Sequence, residues 1–415
     1  MRTKLLASFL FISTLLSCGP DKESTPVPTP EPVKTFDFSF RYDTYLKAKD
    51  YELILSDKDG KVLLDTLLAV NSNHSLSVKS EDTKHDLTTI LLDSTNNICV
   101  METFLQVNPD KWHLNFSPTT SSTSFKHEKA EIIYTSVPYD RNFHFRTKYR
   151  FGSGYTASWP GNNFVIKDFD RAVPTDLAYI LLPSHGLYLF TELTSSQTTA
   201  DFSEAGKTEK RKYKKPSNVT DYKTNLVGFT KAGDPDSRLD LYWSNFYPSE
   251  EYDLQFPPTG IEEFDLGVSY EDADGYFHNY HYSGKQIPTE IDFSTTSDFT
   301  VSKSEFDDFM ISFTTDKPDI YNSHWVAIDP SHTVNWIVYG SSDVTSYRLK
   351  TFLEGLKSKK FAGLDLPQLE LLTVSTLKFK NHTYQEYLNI KANASLSSYN
   401  KVEQSRLIMK TFKIF

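Results

Sequence analysis

The residue types best suited to chemistry are scattered along the chain, and their spacing assembles no catalytic set. Pro183-Ser184-His185 and Pro330-Ser331-His332 each place a hydroxyl beside an imidazole. Neighbouring residues in a strand point to opposite faces, so neither is a nucleophile–base pair. Both read as turns in which Ser bonds the backbone. His278 and His281 lie three apart, a spacing that chelates metal on a helix. The flanking Tyr and Phe predict a strand instead, which turns the two rings to opposite sides. The sequence has no H-E-x-x-H, no Cys/His cluster and no G-x-S-x-G elbow, so no metal site is expected and no catalytic residue is assigned. Asp272-Ala-Asp274-Gly275 opens like a calcium loop but lacks the later ligands, and reads as a β-turn. Asp234, Asp236 and Asp240 offer oxygens without a diagnostic spacing. Gly152-Ser-Gly154 lacks the third glycine and the following helix of a phosphate cradle, and no cofactor is expected.

Binding is better supported than catalysis. The chain carries 30 Phe and 24 Tyr, and one aromatic run, Leu241-Tyr-Trp-Ser-Asn-Phe-Tyr247, lies in a turn-rich stretch. Tyr242, Trp243, Phe246 and Tyr247, together with Trp159, are the candidate ligand-binding residues. Exposed rings of this kind stack on sugar faces; the competing role is to fill sandwich cores and corners. A basic run, Lys207 to Lys215, reads as an exposed loop tip, with contact to an acidic partner as the sharper alternative.

Charge narrows the partners. The formal net charge is −10. That disfavours nucleic acid, whose binding depends on neutralising phosphates, and disfavours lying flat on an anionic bilayer.

The first residues decide the compartment. Arg2 and Lys4 precede an apolar run from Leu5 to Leu16, too short to span a bilayer and the right length for a signal-peptide core. The run ends in Leu15-Leu16-Ser17-Cys18. This stretch resembles the lipobox of bacterial lipoproteins. The resemblance implies cleavage before Cys18 and acylation of its thiol, with two or more chains giving stable attachment to a membrane. Gly19 stands where some lipoproteins carry an Asp that retains them in the inner membrane, so outer-membrane residence is expected. Asp21-Lys22-Glu23 is similar to short export signals of surface-exposed lipoproteins, which places the protein at the cell surface, the periplasmic face being the alternative. The resemblance covers about twenty residues and is silent on the remainder, for which no family is recognised. Removal of Arg2 and Lys4 takes the formal charge to about −12. With Cys18 used by lipid, Cys99 has no intrachain partner, and its setting between Ile98 and Val100 predicts a buried thiol.

The elements that must position any site are strands. The fold class expected is mainly β, with two or three antiparallel sandwich-like domains and one short helix near 347–361. Residues 18–35 hold the lipidated Cys and a Pro-rich linker, in which Ser24 to Lys34 (STPVPTPEPVK) forms an extended spacer of roughly 30 Å at about 3.1 Å per residue. From Phe36, apolar residues alternate with polar ones, and Asp57-Lys-Asp-Gly60 between two apolar runs signals a hairpin. A first domain is expected over 36–117, a second over 125–260, and a third over 261–415 that either repeats the second or forms one unit with it. The repeat rests on Pro-Ser-His recurring between strands; two hairpins with the same turn chemistry account for it too, and that reading is preferred. For the helix, Leu349, Phe352, Leu353 and Leu356 fall at i, i+3, i+4 and i+7.

The functional expectation is a tethered binding or adhesion module for a glycan or protein ligand. The alternatives are a hydrolase on a β scaffold, whose carboxylate pair is not identifiable among 54 acidic residues, and a structural envelope component.

Overall fold

The structure is a computed structural model that describes residues 33–44, 46–93, 95, 97–108, 111–115, 126–148, 154–245, 247–293, 298–305, 308–314, 316–328, 333–355, 369–392 and 403–412. Cys18, the linker before residue 33, Phe246, Gly152, Ser153 and Pro330-Ser331-His332 lie outside the described residues.

The alternating phenylalanines form β1 (Lys34–Asp43), which buries Phe38, Phe40 and Tyr42. β2 (Asp50–Ser56) and β3 (Val62–Ala69) make the expected hairpin, closed by a bond from the Gly60 amide to the Asp57 carbonyl at 3.0 Å. Gly60 has φ +85°, a conformation glycine adopts without steric cost. β4 (Asn73–Ser80), β5 (His85–Asp93), β6 (Ile98–Val107) and β7 (Lys111–Asn115) follow. β4-β1-β7 form one sheet. Its buried face packs on β2, β5 and β6 through Phe38, Phe40, Tyr51, Leu53, Leu91 and Phe104. β2 is buried from Tyr51 to Ser56 because both of its faces are covered, and its centre is correspondingly the apolar Leu53-Ile54-Leu55.

The next segment runs through β8 (His127–Thr135), β9 (His144–Thr147), β10 (Thr156–Ser158), β11 (Phe164–Ala172), β12 (Asp176–Leu182), β13 (Leu187–Leu193), β14 (Gln197–Asp201) and β15 (Gly206–Lys207). These build two sheets, ordered β10-β11-β8-β14 and β15-β13-β12-β9, which enclose Ile132, Tyr134, Phe164, Ile166, Ile180 and Leu182. The opposite face of β12 and β13 carries Tyr179, Leu181 and Tyr188 into a further core. That core is closed by β16 (Glu209–Lys214), β17 (Thr220–Phe229), β18 (Arg238–Ser244), β19 (Glu251–Phe256), β20 (Glu263–Glu271) and β21 (Tyr276–Gly284).

The basic run is a correction to the sequence reading. It is not a loop tip: its centre is β16, paired antiparallel with β19. Tyr213 points inward and is buried, while Lys212 lies 3.6 Å from Glu251 and Lys214 3.5 Å from Glu250. Two of the lysines thus face acids on or beside the neighbouring strand, and Arg211 lies 3.5 Å from Glu209 on its own strand.

The last segment contains β22 (Phe299–Glu305), β23 (Asp308–Phe313), β24 (Ile320–Ile328), β25 (Thr333–Gly340), β26 (Ser346–Tyr347), α1 (Leu349–Gly355), β27 (Glu370–Phe379), α2 (Tyr384–Ala392) and β28 (Gln404–Thr411). α1 occupies the start of the expected helix; residues 356–368 lie outside the described ones. α2 was not read from the sequence. It begins with a capping box: the Thr383 hydroxyl accepts from the Glu386 amide at 3.3 Å, and the Glu386 carboxylate accepts from the Thr383 amide at 2.7 Å.

One sheet of twelve strands crosses the expected boundaries, in the order β18-β17-β20-β21-β28-β27-β24-β25-β6-β5-β2-β3. β6 and β25 pair in parallel, which carries hydrogen bonding from the first expected domain directly into the last. The sheet is covered by β4-β1-β7 and α2 on one face of its first-segment end. On the other face β22-β23-β26 and α1 cover it around Trp325, Trp336 and Phe309. Cys99 is buried in this core, as its apolar flanks predict. In both halves of the proposed repeat, β11 or β23 lies in one sheet and the following antiparallel pair, β12–β13 or β24–β25, in the facing one. Among the described residues, no helix is long and apolar enough to cross a membrane.

Candidate functional site

The aromatic run that stands out in the sequence divides in space. Leu239 and Leu241 are buried along β18, but Leu241 is the extra residue of a bulge, and past it the alternation resets: Tyr242 packs against the core and Trp243 is left on the outside, 50% exposed. Tyr247 packs among Tyr222 and Tyr252, with ring centroids 5.4 and 4.4 Å away. Trp159 stacks on Phe164 at 4.1 Å and meets Tyr139 edge-on at 5.1 Å, against a separate core. Of the four described candidates, Tyr242 and Trp243 border one cavity, and Tyr247 and Trp159 serve packing.

That cavity, of about 400 Å³, lies where β9 runs beside β18 at the edge of the large sheet. Its size is within the range of small-ligand clefts. β17 contributes Lys223, Thr224 and Asn225; β18 contributes Arg238, Asp240, Tyr242 and Trp243; β9 contributes His144 and Arg146; Ser269 comes from β20. Register explains the assembly. Asn225 lies opposite Trp243 on one side and Gly267 on the other, and Lys223 lies opposite Ser269. A bulge between Leu226 and Val227 then shifts the pairing with β18, and such bulges re-aim side chains along an edge.

The electrostatics of the wall follow from its neighbours. Arg238 is held by Asp240, Nη2 to Oδ1 at 3.3 Å. Arg146 donates to the carbonyl of Phe145 at 2.7 Å. Burial, aided by the charge of Arg146, holds His144 below the ordinary imidazole range, against the opposing pull of Asp140. Behind the wall, Thr224 and Tyr222 bond the Tyr252 hydroxyl at 3.3 and 2.7 Å. Burial pushes the Tyr222 and Tyr247 hydroxyls far up, so they stay protonated. A half-exposed indole ringed by amide, hydroxyl and guanidinium groups can stack on a flat ligand and hydrogen-bond its rim.

The other sequence candidates resolve as structure. Ser184 bonds Asp140 through its amide at 2.8 Å and its hydroxyl at 2.9 Å, and His185 bonds the Tyr139 carbonyl at 3.0 Å, which makes Pro183–Gly186 a tied-down turn. Asp272 accepts from the amides of Asp274 and Tyr276 and from His278 at 2.7 Å, closing a turn at Gly275. Asp234 caps a short helical turn by accepting from the Asp236 amide. Among the described residues, no three potential ligands group to hold a metal. Two other clefts, of about 490 Å³ beside α2 and about 440 Å³ beside Pro174, present no comparable ring: Tyr384 in the first is bonded to the carbonyls of Leu105 and Tyr339.

No family model matches the chain, and no curated protein matches it. Among solved structures, similarity is found to a CBM26 carbohydrate-binding module of Eubacterium rectale Amy13K in complex with maltoheptaose, at 13% identity, covering 40% of this chain and 91% of that one, with TM-score 0.13. A Ca²⁺-stabilised ice-binding adhesin from an Antarctic bacterium matches at 12% identity, over 81% and 87% of the two chains, with TM-score 0.12. A fimbrial assembly protein from Parabacteroides distasonis matches at 12% identity, over 60% and 96%, with TM-score 0.11. At TM-scores this low the likenesses carry no argument about fold or ligand.

Proposed function

We propose that this protein is a lipid-anchored, extracytoplasmic binding module that takes a glycan at the cleft between β9 and β18. The observation that carries the reading is Trp243: a large ring left half exposed on the wall of a cleft whose other groups are hydrogen-bonding side chains. Sugar rings present an apolar C–H face that a half-exposed indole fits. Asn225 and Ser269 supply hydrogen bonds for equatorial hydroxyls. The anchor rests on the lipobox-like stretch ending in Cys18, with outer-membrane residence and surface exposure as its expected consequence. A protein ligand at the same cleft is the alternative. Hydrolysis by paired carboxylates finds only Asp240 among the residues lining this cleft, and that carboxylate is engaged by Arg238.

The test has two arms. Protein from Gly19 onward is applied to a broad glycan array, as native chain and as Trp243→Ala. Retention of particular glycans by the native chain and its loss in the variant supports the site; unchanged retention in the variant removes it. Separately, Cys18→Ser should move the protein from the membrane fraction to the soluble one, and a membrane-bound variant would contradict the anchor.

A further inference from the structure

The cleft inverts the charge of the molecule around it. The chain is acidic overall, at −10, yet the wall carries Arg146, Lys223 and Arg238 against one carboxylate, Asp240. Several cations on the neighbouring strands sit beside acids: Lys129 lies 3.1 Å from Asp170, Lys167 3.3 Å from Glu131, and Arg171 2.6 Å from Glu128. Arg146 and Lys223 have no acidic partner among the described residues.

We infer that the ligand is an anionic saccharide, whose carboxylate or sulfate is received by Arg146 and Lys223 while its ring stacks on Trp243. The inference deepens the glycan reading above and rests on it. A guanidinium presents two parallel N–H groups that match the oxygens of a carboxylate or sulfate, and charge-assisted bonds of this type are about twice as strong as neutral ones. Arg238, tethered by Asp240, adds positive potential without swinging freely. The depressed basicity of His144, caused in part by Arg146, is a sign of the same field. Neutral sugars offer these two cations hydroxyl acceptors but no countercharge. A nucleic acid is the competing polyanion, and its binding depends on neutralising many phosphates, which an overall acidic chain disfavours.

The experiment is calorimetric titration of protein from Gly19 onward with oligogalacturonate, a chondroitin sulfate oligosaccharide, a neutral galactan oligosaccharide and a single-stranded oligonucleotide. The native chain should bind one or both acidic saccharides more tightly than the neutral one, with affinity falling as salt rises. Arg146→Gln and Lys223→Gln should each weaken that binding about tenfold or more, since each removes a charge-assisted contact. The carboxylated and sulfated arms tell which anion is read. Equal binding of the neutral galactan, insensitive to both substitutions, would overturn the anionic preference and leave the Trp243 site standing. Binding that survives Trp243→Ala would instead overturn the site. Silence toward both acidic saccharides, or preferential capture of the oligonucleotide, would overturn the inference.

Discussion

The imidazole of His144 sits 5.4 Å from the ring of Tyr242, tilted by 42°, and so joins the edge of one four-stranded sheet to the edge of the twelve-stranded one. The contact keeps the two walls of the cleft in register with each other. Its strength depends on protonation. Burial first, and then the charge of Arg146, lower the basicity of His144, so near neutral pH the ring is uncharged. Burial likewise lowers His85, His281 and His324. In the unfolded chain these rings take up protons near the ordinary value of about 6.5. As pH falls through that value, the unfolded state gains protons that the folded state refuses, and stability declines until the lower folded values are reached. The histidines' share of the stability should therefore drop between about pH 7 and pH 5, an effect that Asp86, of opposite sign, partly offsets and that Asp86→Asn isolates, and Arg146→Gln should raise the His144 titration point in NMR. A His144 midpoint unmoved by that substitution would contradict the assigned cause.

Asp86 has the opposite sign. Its Oδ1 accepts from the amide of Gln106 at 2.8 Å and from the Gln106 side chain at 3.0 Å, holding that residue at φ +52° where the β5–β6 register shifts. Burial pushes the carboxyl up to about 6. A raised acid contributes stability below its unfolded value and loses it as pH climbs through the folded one. Asp86→Asn keeps the accepting oxygen and removes the charge. It should raise stability at pH 8 by about 1–3 kcal/mol and change little at pH 3.5. Asp86→Ala removes both bonds and should cost about 1–3 kcal/mol at pH 3.5, and less at pH 8, where removal of the buried charge offsets the lost bonds. Chemical denaturation at the two pH values separates the variants.

Gly267 supplies the space in which the Asn225 side chain lies; a Cβ at this position would collide with the Asn225 amide group. Asn225 has an exposed position on its strand and its amide is free to move aside, so the fold should tolerate Gly267→Ala within about 1 kcal/mol. The displaced amide, however, is part of the cleft wall. Ligand retention should weaken while the thermal midpoint hardly moves. A variant that binds as the native chain does would show that Asn225 takes no part in recognition.

Much of the scaffold is written locally. Phe36, Phe38 and Phe40 alternate as a strand must, and Asp57–Gly60 is a turn by composition alone. The start of α2 was equally legible, because Thr383 and Glu386 form a capping box within four residues. The basic run misled because its single inward residue, Tyr213, is outnumbered by lysines whose acidic partners lie on a strand some forty residues on. The cleft was half legible. Trp243 and Tyr242 announce themselves by type, whereas His144, Arg146, Lys223 and Asn225 are ordinary residues until strand register and the approach of β9 bring them together. No local pattern reveals the continuity of the large sheet, because β6 and β25 meet across more than two hundred residues of sequence.

That junction gives the sharpest stability test. The indole N–H of Trp336 on β25 donates to the Thr103 hydroxyl on β6 at 2.8 Å, and Thr103 in turn lies 2.8 Å from the Thr88 hydroxyl on β5. All three residues are buried, so no water replaces a lost partner. Thr103→Val keeps the shape and the β-branched fit to a strand, yet strands the indole donor and the Thr88 hydroxyl together. The expected cost is about 2–4 kcal/mol, one unsatisfied group each. Thr103→Ser keeps the oxygen and should cost about 1 kcal/mol, from the lost methyl alone. Replacing Thr88 by Val in the Thr103→Val background removes one of the two stranded groups and should recover part of the loss. Since the bond ties the first segment of the chain to the last, the loss should appear by both tryptophan fluorescence and far-ultraviolet dichroism at the same denaturant concentration. If Thr103→Val unfolds at the native midpoint, or if residues 33–115 unfold in a separate earlier step, β6 and β25 do not share one cooperative sheet.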